Sequence, residues 1–429
     1  MKKIRKHAAG IDIGAKQLFV AVEEASVAVF DTFTENMHQL ADYLHTHAIQ
    51  TVAMEATGVY WTVLYDILEA KGFDVWLVDG RQTKQLPGRK TDVKDCQWIQ
   101  QLHSYGLLNR CFVPTTSIKE LRAYQRLRED HLRTASMHVN HMQKALTQMN
   151  IRLSEVLSQI HGVSGMRIIE AILAGERDVT VLVELCHTSI LKKKREQVRK
   201  SLNGCYHPAH LFALEQAYQG YQFYQQQIKA CDHQLEQVLQ GIDLDKEQPP
   251  LEKPRKPIRH NKPDVAHLGK HLLRIFGGKD ATNLPGITDY TWMQLLAETG
   301  ENLTRWPTAK HFTSWLGLSP GQHQSGKSKK RPKLRGKPKA GQIFRQLAQS
   351  LMASKKIGIG AFARRLRAKK GPAIAIKATA RKLATLYWGY FVHGAEYVER
   401  GVEHYEEQVL RNKRKALARL AKELGVQIA

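Results

Sequence analysis

The chain is short of cysteine, short of acids relative to bases, and has no long apolar run. Five cysteines among 429 residues stand well apart, at 96, 111, 186, 205 and 231. That spacing excludes a disulfide scaffold and a structural zinc site, and it fits a reducing compartment. No stretch approaches the roughly 20 consecutive apolar residues that a membrane-spanning helix needs. Met1-Lys2-Lys3-Ile4-Arg5-Lys6 is basic, but the chain turns acidic at Asp12 with no apolar region between, so it does not read as a signal peptide. No glycine-rich fingerprint follows the first apolar run, which argues against a dinucleotide-binding domain.

What is abundant is positive charge. Lys and Arg number 65 against 40 Asp and Glu, a net charge of +25. Such an excess points to a polyanionic partner, DNA or RNA.

The amino-terminal third alternates strands and helices. Ala8-Ala9-Gly10-Ile11 leads to Asp12, Gly14-Ala15 suits a turn, and Leu18 to Val22 returns as a second strand. A third strand is expected within Ala25 to Phe33, a helix over Met37 to His47, and a buried strand from Gln50 to Glu55. A helix over Val59 to Leu68 and a strand from Asp74 to Val78 follow. The order strand, strand, strand, helix, strand, helix, strand, helix predicts an α/β domain with a mixed sheet.

Four acids stand out. Asp12 and Glu55 fall at predicted strand ends, where open α/β sheets bind ligands. In Lys90-Thr91-Asp92-Val93-Lys94-Asp95, Thr91 can cap a helix whose first turn carries Asp92 and Asp95 on one face. Taken singly, each acid is an ordinary turn or first-turn residue. As a set they can hold two divalent cations about 4 Å apart, the arrangement used for phosphoryl transfer. All-oxygen ligands favour Mg2+ over zinc. Asp79, in an Asp-Gly turn, is a weaker candidate.

Apolar residues at helical spacing predict a long helix from Ser117 to about Gln159 and a second over Leu211 to Leu239. An antiparallel pair within the chain and a coiled coil between chains both fit. Tyr218, Tyr221, Phe223 and Tyr224 suit packing or base stacking, packing being favoured by their spacing. From Gln248, prolines and cations read as an extended basic linker. Beyond it lies a mostly helical region whose most basic stretch runs from Gly317-Leu318-Ser319-Pro320 through Ser325-Gly326-Lys327 to Lys339. Ser325, among cations, could attack phosphorus; Ser319 and Ser328 are equal rivals on charge alone. The expected divisions are 1–112 catalytic, 113–247 helical and coiled-coil (oligomerisation and nucleic-acid binding), 248–282 linker, 283–395 helical with the serine, and 396–429 a charged helical tail. Candidate nucleic-acid contacts are Lys90, Arg122, Arg126, Lys193, Lys327, Lys329, Lys330, Arg331, Arg335, Arg364 and Arg365.

Gly10-Ile11-Asp12, Met54-Glu55-Ala56-Thr57-Gly58-Val59-Tyr60, Lys90 to Asp95, Leu284-Pro285-Gly286-Ile287, and Gly317 to Pro320 followed by Ser325-Gly326-Lys327 together give the chain a family likeness. It resembles the insertion-sequence transposases with an amino-terminal DEDD domain and a carboxy-terminal serine-containing domain, recombinases guided by a structured bridge RNA. The resemblance implies a ribonuclease-H-like first domain whose Asp12, Glu55, Asp92 and Asp95 bind Mg2+. It also implies Ser325 as nucleophile, donor and target DNA as substrates, a bridge RNA as guide, and a dimer assembling to a tetramer in the bacterial cytoplasm, at the nucleoid when DNA-bound. A junction-type metal endonuclease using the four acids alone, and a non-catalytic nucleic-acid-binding protein, are the competing readings. The chain departs from the family in having Lys327 where a second glycine is common, and Cys96 where alanine commonly follows the last acid.

Overall fold

A computed structural model of the protein describes residues 2–23, 25–83, 91–243, 254–258, 260–320, 324–325, 328–329, 338–354 and 358–425; of Gln324, Ser325, Ser328 and Lys329 only the backbone is described. The chain divides into two compact units, Met1–Pro114 and Thr115–Ala429.

The first unit is built on strands β1 (Ala8–Ile13), β2 (Gln17–Ala21), β3 (Ala28–Asp31), β4 (Thr51–Glu55) and β5 (Asp74–Val78), with helices α1 (Thr34–Thr46), α2 (Trp61–Ala70), α3 (Gly80–Thr83) and α4 (Asp92–Ser104). The sheet order is β3-β2-β1-β4-β5. The first three strands are antiparallel neighbours, while β4 and β5 run parallel to β1. This is the mixed sheet of a ribonuclease-H-like domain. β1 is central and buried on both faces, as its unbroken apolar run requires. Side chains alternate across a strand, so Ile11, Val52, Met54, Val75 and Leu77 join Met37, Leu40, Leu44, Leu64 and Leu68 of α1 and α2 in one core. Ala53 and Val78 face the other way, onto Ile99 and Leu102 of α4.

The second unit is helical. It comprises α5 (Thr116–Gln148), α6 (Leu153–Val156), α7 (Val163–Leu173), α8 (Val179–Glu184), α9 (Thr188–Ser201), α10 (Pro208–Asp243), α11 (Leu268–Ile275), α12 (Asp289–Thr299) and α13 (Ala309–Trp315). A two-strand ribbon of β6 (Gln324–Ser325) and β7 (Ser328–Lys329) follows, then α14 (Lys339–Ala353), α15 (Gly358–Lys370), α16 (Pro372–His393) and α17 (Ala395–Leu424). α5 and α10 form an antiparallel pair within the chain: Arg128 binds Asp232 at one end, and His138 stacks on Tyr224 further along. Packing also takes up Tyr221, against His161, and Tyr218, which donates to Glu170; Phe223 stays exposed.

Two expectations need correction. The helix expected to run to about Gln159 ends at Gln148, because Asn150 takes a left-handed φ of 57° and turns the chain back. The stretch read as an extended basic linker holds α11. Its cations are also used internally: Arg255 donates to Asp280 at 2.6 Å and to the Gly269 carbonyl at 2.9 Å, and Lys256 to the Leu284 carbonyl at 2.9 Å. Among the described residues no helix is long and apolar enough to cross a membrane.

Candidate metal centre

Strand alternation decides where Asp12 points. Gly10, two residues before it, lies under α4 so tightly that a Cβ there would overlap the backbone of Cys96 and Gln100. Asp12 therefore projects on the α4 side, at the end of β1. α4 buries Cys96, Ile99, Gln100 and His103, so Asp92 and Asp95, four residues before Cys96 and Ile99, share its inward face. Thr91 starts the helix: its extended backbone and its hydroxyl, which accepts from the Lys94 amide at 3.3 Å, make it the amino-terminal cap.

These constraints bring three acids together. Asp12, Asp92 and Asp95 each offer a carboxylate oxygen, and the three oxygens lie within 4.8 Å of one another. In an octahedral Mg2+ site, ligand oxygens are about 3 Å apart when adjacent and about 4 Å when opposite. Three carboxylates already gathered within 4.8 Å are a hard-oxygen donor set that fits a hard divalent cation. Asp92 is exposed and the other two half-buried, which leaves room for substrate oxygens.

Glu55 occupies the neighbouring strand end. β1 and β4 are in parallel register through Ile11 and Met54, so the next positions along are Asp12 and Glu55. Its carboxylate is held from the β5 side: Thr83 donates to Oε2 at 2.7 Å, and Oε1 lies where a Cβ on Gly80 would be. It thus stands beside the three-acid group rather than in it. Thr83 and Gly80 escaped sequence reasoning. A Gly following Asp79 carried only a turn signal, and nothing marked Thr83. Asp79 itself pairs with Arg81 and accepts from the Arg81 amide at 3.0 Å, which makes it a turn acid.

Cys96 is buried, and its thiol donates to the Val93 carbonyl at 3.1 Å. Burial, and then the charge of Asp12, push the thiol up to about 12. In the metal-free fold it stays protonated at neutral pH and packs as a small apolar group.

The basic candidates divide. Arg122 donates to the carbonyls of Ala297 and Glu298 at 2.9 and 3.0 Å, and Arg126 grips the Glu298 carboxylate through two 2.8 Å bonds. Both serve the carboxy-terminal end of α12, where cations are favourable. Arg364 likewise donates to the carbonyls of Met352 and Ser354 at the end of α14. These three guanidinium groups are engaged inside the fold, contrary to their reading as backbone contacts. Lys193 and Arg365 are exposed. Ser325 and Ser328 pair across the β6–β7 ribbon, which also carries Lys329. Lys90, Lys327, Lys330, Arg331 and Arg335 lie outside the described residues.

Comparison with known families now adds to the geometry. Residues 9–151 match a family model for DEDD transposases of the IS110 type, described as "Transposase". Residues 279–362 match a second, described as "Transposase IS116/IS110/IS902 family". A comparison with curated proteins gives no match. The two matched regions cover more than half of the chain, and the first contains the whole acidic site while the second contains Ser325. The chain belongs to the IS116/IS110/IS902 family of transposases: it is a DNA recombinase with an amino-terminal DEDD-type domain and a carboxy-terminal transposase domain.

Proposed function

We propose that the strand-cleaving chemistry of this transposase is metal-dependent phosphoryl transfer at Asp12, Asp92 and Asp95, with Glu55 as the fourth acid and Mg2+ as the ion. The convergence of the three carboxylates carries this reading. A bound Mg2+ would neutralise charge on the scissile phosphate and activate the attacking oxygen. The protein's own part is positional. β1 and the cap at Thr91 fix the acids before substrate arrives, and the close fit of α4 on Gly10 sets their separation. Thr83 orients Glu55 toward the strand ends. Three acids within 4.8 Å repel one another when no cation is present. A purely structural nucleic-acid-binding protein has no use for that expense.

A second centre is favoured by the family match over residues 279–362, which spans Ser325. In this extension the Ser325 hydroxyl attacks a DNA phosphorus and gives up its proton. The bond from phosphorus to one deoxyribose oxygen breaks, and that oxygen leaves as a hydroxyl. The phosphate is then held as a serine phosphodiester until a second strand's hydroxyl reverses the step. The acids and Ser325 would act on the same DNA, across subunits of a dimer or tetramer. A structured bridge RNA would choose donor and target by base pairing. The protein would then read backbone and shape, with Lys90, Lys193, Lys327, Lys329, Lys330, Arg331, Arg335 and Arg365 as phosphate contacts.

The test is purification with bound RNA retained, followed by incubation with donor and target DNA. Cleavage should require Mg2+, cease on chelation, and cease in Asp95→Asn. A covalent protein–DNA adduct should form in the parent and not in Ser325→Ala. Cleavage that survives both chelation and Asp95→Asn refutes the metal reading. An adduct in Ser325→Ala refutes the serine reading.

A further inference from the structure

The stretch that carries Ser325 departs after α13 through Gly317-Leu318-Ser319-Pro320 and rejoins described structure at Pro338, the residue before α14. Its two ends meet. A Cβ on Gly317 would lie 3.2 Å from the Pro338 ring, and Gly317 has a left-handed φ of 65°. Arg345, less than two turns into α14, fastens this base by donating from Nη2 to the Gly317 carbonyl at 3.1 Å. Its other terminal nitrogen, Nη1, is buried and has no hydrogen-bond acceptor among the described residues.

α16 packs on α14 and carries Lys377 and Arg381 one helical turn apart, with Lys377 within reach of the charges of both Arg345 and Arg381. Burial lowers the Lys377 ammonium, and the charges of Arg345 and Arg381 lower it further. No carboxylate acts on Lys377 or on Arg345 among the described residues. Elsewhere in this unit Arg126, Arg128 and Arg255 are each paired with an acid, Glu298, Asp232 and Asp280. A half-buried like-charged trio raises the energy of the fold unless an anion sits among it.

We propose that Arg345, Lys377 and Arg381 form a seat for a DNA phosphodiester at the base of the Ser325 segment. The assignment deepens the reading of this domain as the one that handles DNA at Ser325, and rests on it. Two arginines and a lysine converging on one phosphate supply fixed donors and compensate the charge of the bound phosphodiester. An arginine already anchored to a backbone carbonyl loses little freedom on binding. The occupant is taken to be DNA rather than the guide RNA because the seat adjoins the ends of the segment that carries the proposed nucleophile.

The test uses full-length protein with a short DNA duplex and, in parallel, an RNA duplex of the same length. Lys377→Ala and Arg381→Ala should each make the plot of log affinity against log salt for DNA shallower by about 0.9. Lys377→Arg should restore the parental slope. In the parent, an amine-reactive label at Lys377, read by peptide mass, should be blocked by the DNA and not by the RNA. Parental slopes in folded Lys377→Ala and Arg381→Ala overturn the seat, as does labelling unaffected by DNA or blocked by RNA alone. If the alanine variants do not fold, Lys377→Arg and the labelling of the parent decide. The outcome is separable from the serine reading: without a Ser325 adduct that reading falls while a reduced slope still supports the seat, and an unchanged slope removes the seat even when the adduct forms.

Discussion

Gly10 of β1 and Gln100 of α4 are in backbone contact, with the Gln100 Cα only 2.8 Å from where a Gly10 Cβ would stand. The metal centre depends on this close approach of α4 to the sheet. Asp12 follows Gly10 by two residues, and Asp95 immediately precedes Cys96, the other backbone neighbour of Gly10. Gly10→Ala puts a methyl group into main-chain atoms that cannot rotate away. The expected result is a loss of about 1–3 kcal/mol of stability in the first unit. Because α4 must lift, the acids separate, so the Mg2+ concentration for half-maximal cleavage should rise more than stability alone explains. Thermal melting, with and without Mg2+, read beside a metal titration of cleavage, checks both. A variant with parental melting and parental metal dependence would show that α4 is free to shift.

Thr83 predicts a subtler effect. Its hydroxyl donates to the Glu55 carboxylate at 2.7 Å. Thr83→Val keeps the shape and removes the donor. Groups that orient a ligand without touching the metal typically change metal affinity 10- to 100-fold when removed. We expect roughly a tenfold rise in the Mg2+ needed for cleavage, with cleavage recovered at saturating Mg2+, whereas Glu55→Gln should not recover. Full activity of Thr83→Val at low Mg2+ would mean that Glu55 orients itself or takes no part.

How much of this was legible beforehand depends on how local the cause is. The strand Asp74–Val78 was placed to the residue, because a short apolar run bounded by turns has one reading. Thr91 was legible as a cap, since its hydroxyl and the acids after it are a local pattern. The order of elements was enough for the mixed sheet. The role of Gly10 was not legible: its missing side chain makes room for a helix ninety residues later, and no periodicity encodes that. Nor does charge density say which cations face solvent. Arg122, Arg126 and Arg364 look like phosphate contacts in a chain this basic, yet each closes a helix end. The stretch from Gln248, read as an extended basic linker, differs for the same reason: its Arg255 and Lys256 are hydrogen-bonded within the fold.

His103 makes the first unit sensitive to acid. It is fully buried; Thr51 Oγ1 meets its Nε2 at 2.9 Å, and Nδ1 has no hydrogen-bond partner among the described residues. Burial, and then the charge of Arg5, lower its pKa to about 4. A histidine that resists protonation in the fold takes up a proton more readily when unfolded, near pH 6.5. Its contribution is therefore intact above about pH 6.5 and is lost as pH falls toward 4. The shift corresponds to at most roughly 3 kcal/mol. Melting temperature measured from pH 7.5 to 4 should fall in the parent. It should fall less in His103→Gln, whose absolute stability is lower at pH 7.5. Equal slopes in the two proteins would take His103 out of the acid response.

Arg126 separates the two meanings of a basic residue. It holds Glu298 by two parallel 2.8 Å bonds, and that carboxylate is only 10% exposed while the arginine side chain is 42% exposed. Removing a partner from a fully buried pair costs about 3–5 kcal/mol. Solvent at the arginine screens this one, so Arg126→Ala should cost about 1–2 kcal/mol, chiefly by leaving Glu298 desolvated beside Arg122 alone. The double variant Arg126→Ala with Glu298→Gln should recover part of that loss, since it removes the stranded charge. An arginine spent on a helix end contributes nothing to counterion release, so the salt dependence of DNA binding should match the parent's in both variants. A slope shallower by about one unit in folded Arg126→Ala would return this residue to the list of phosphate contacts, and the pairing with Glu298 would then describe only the DNA-free protein.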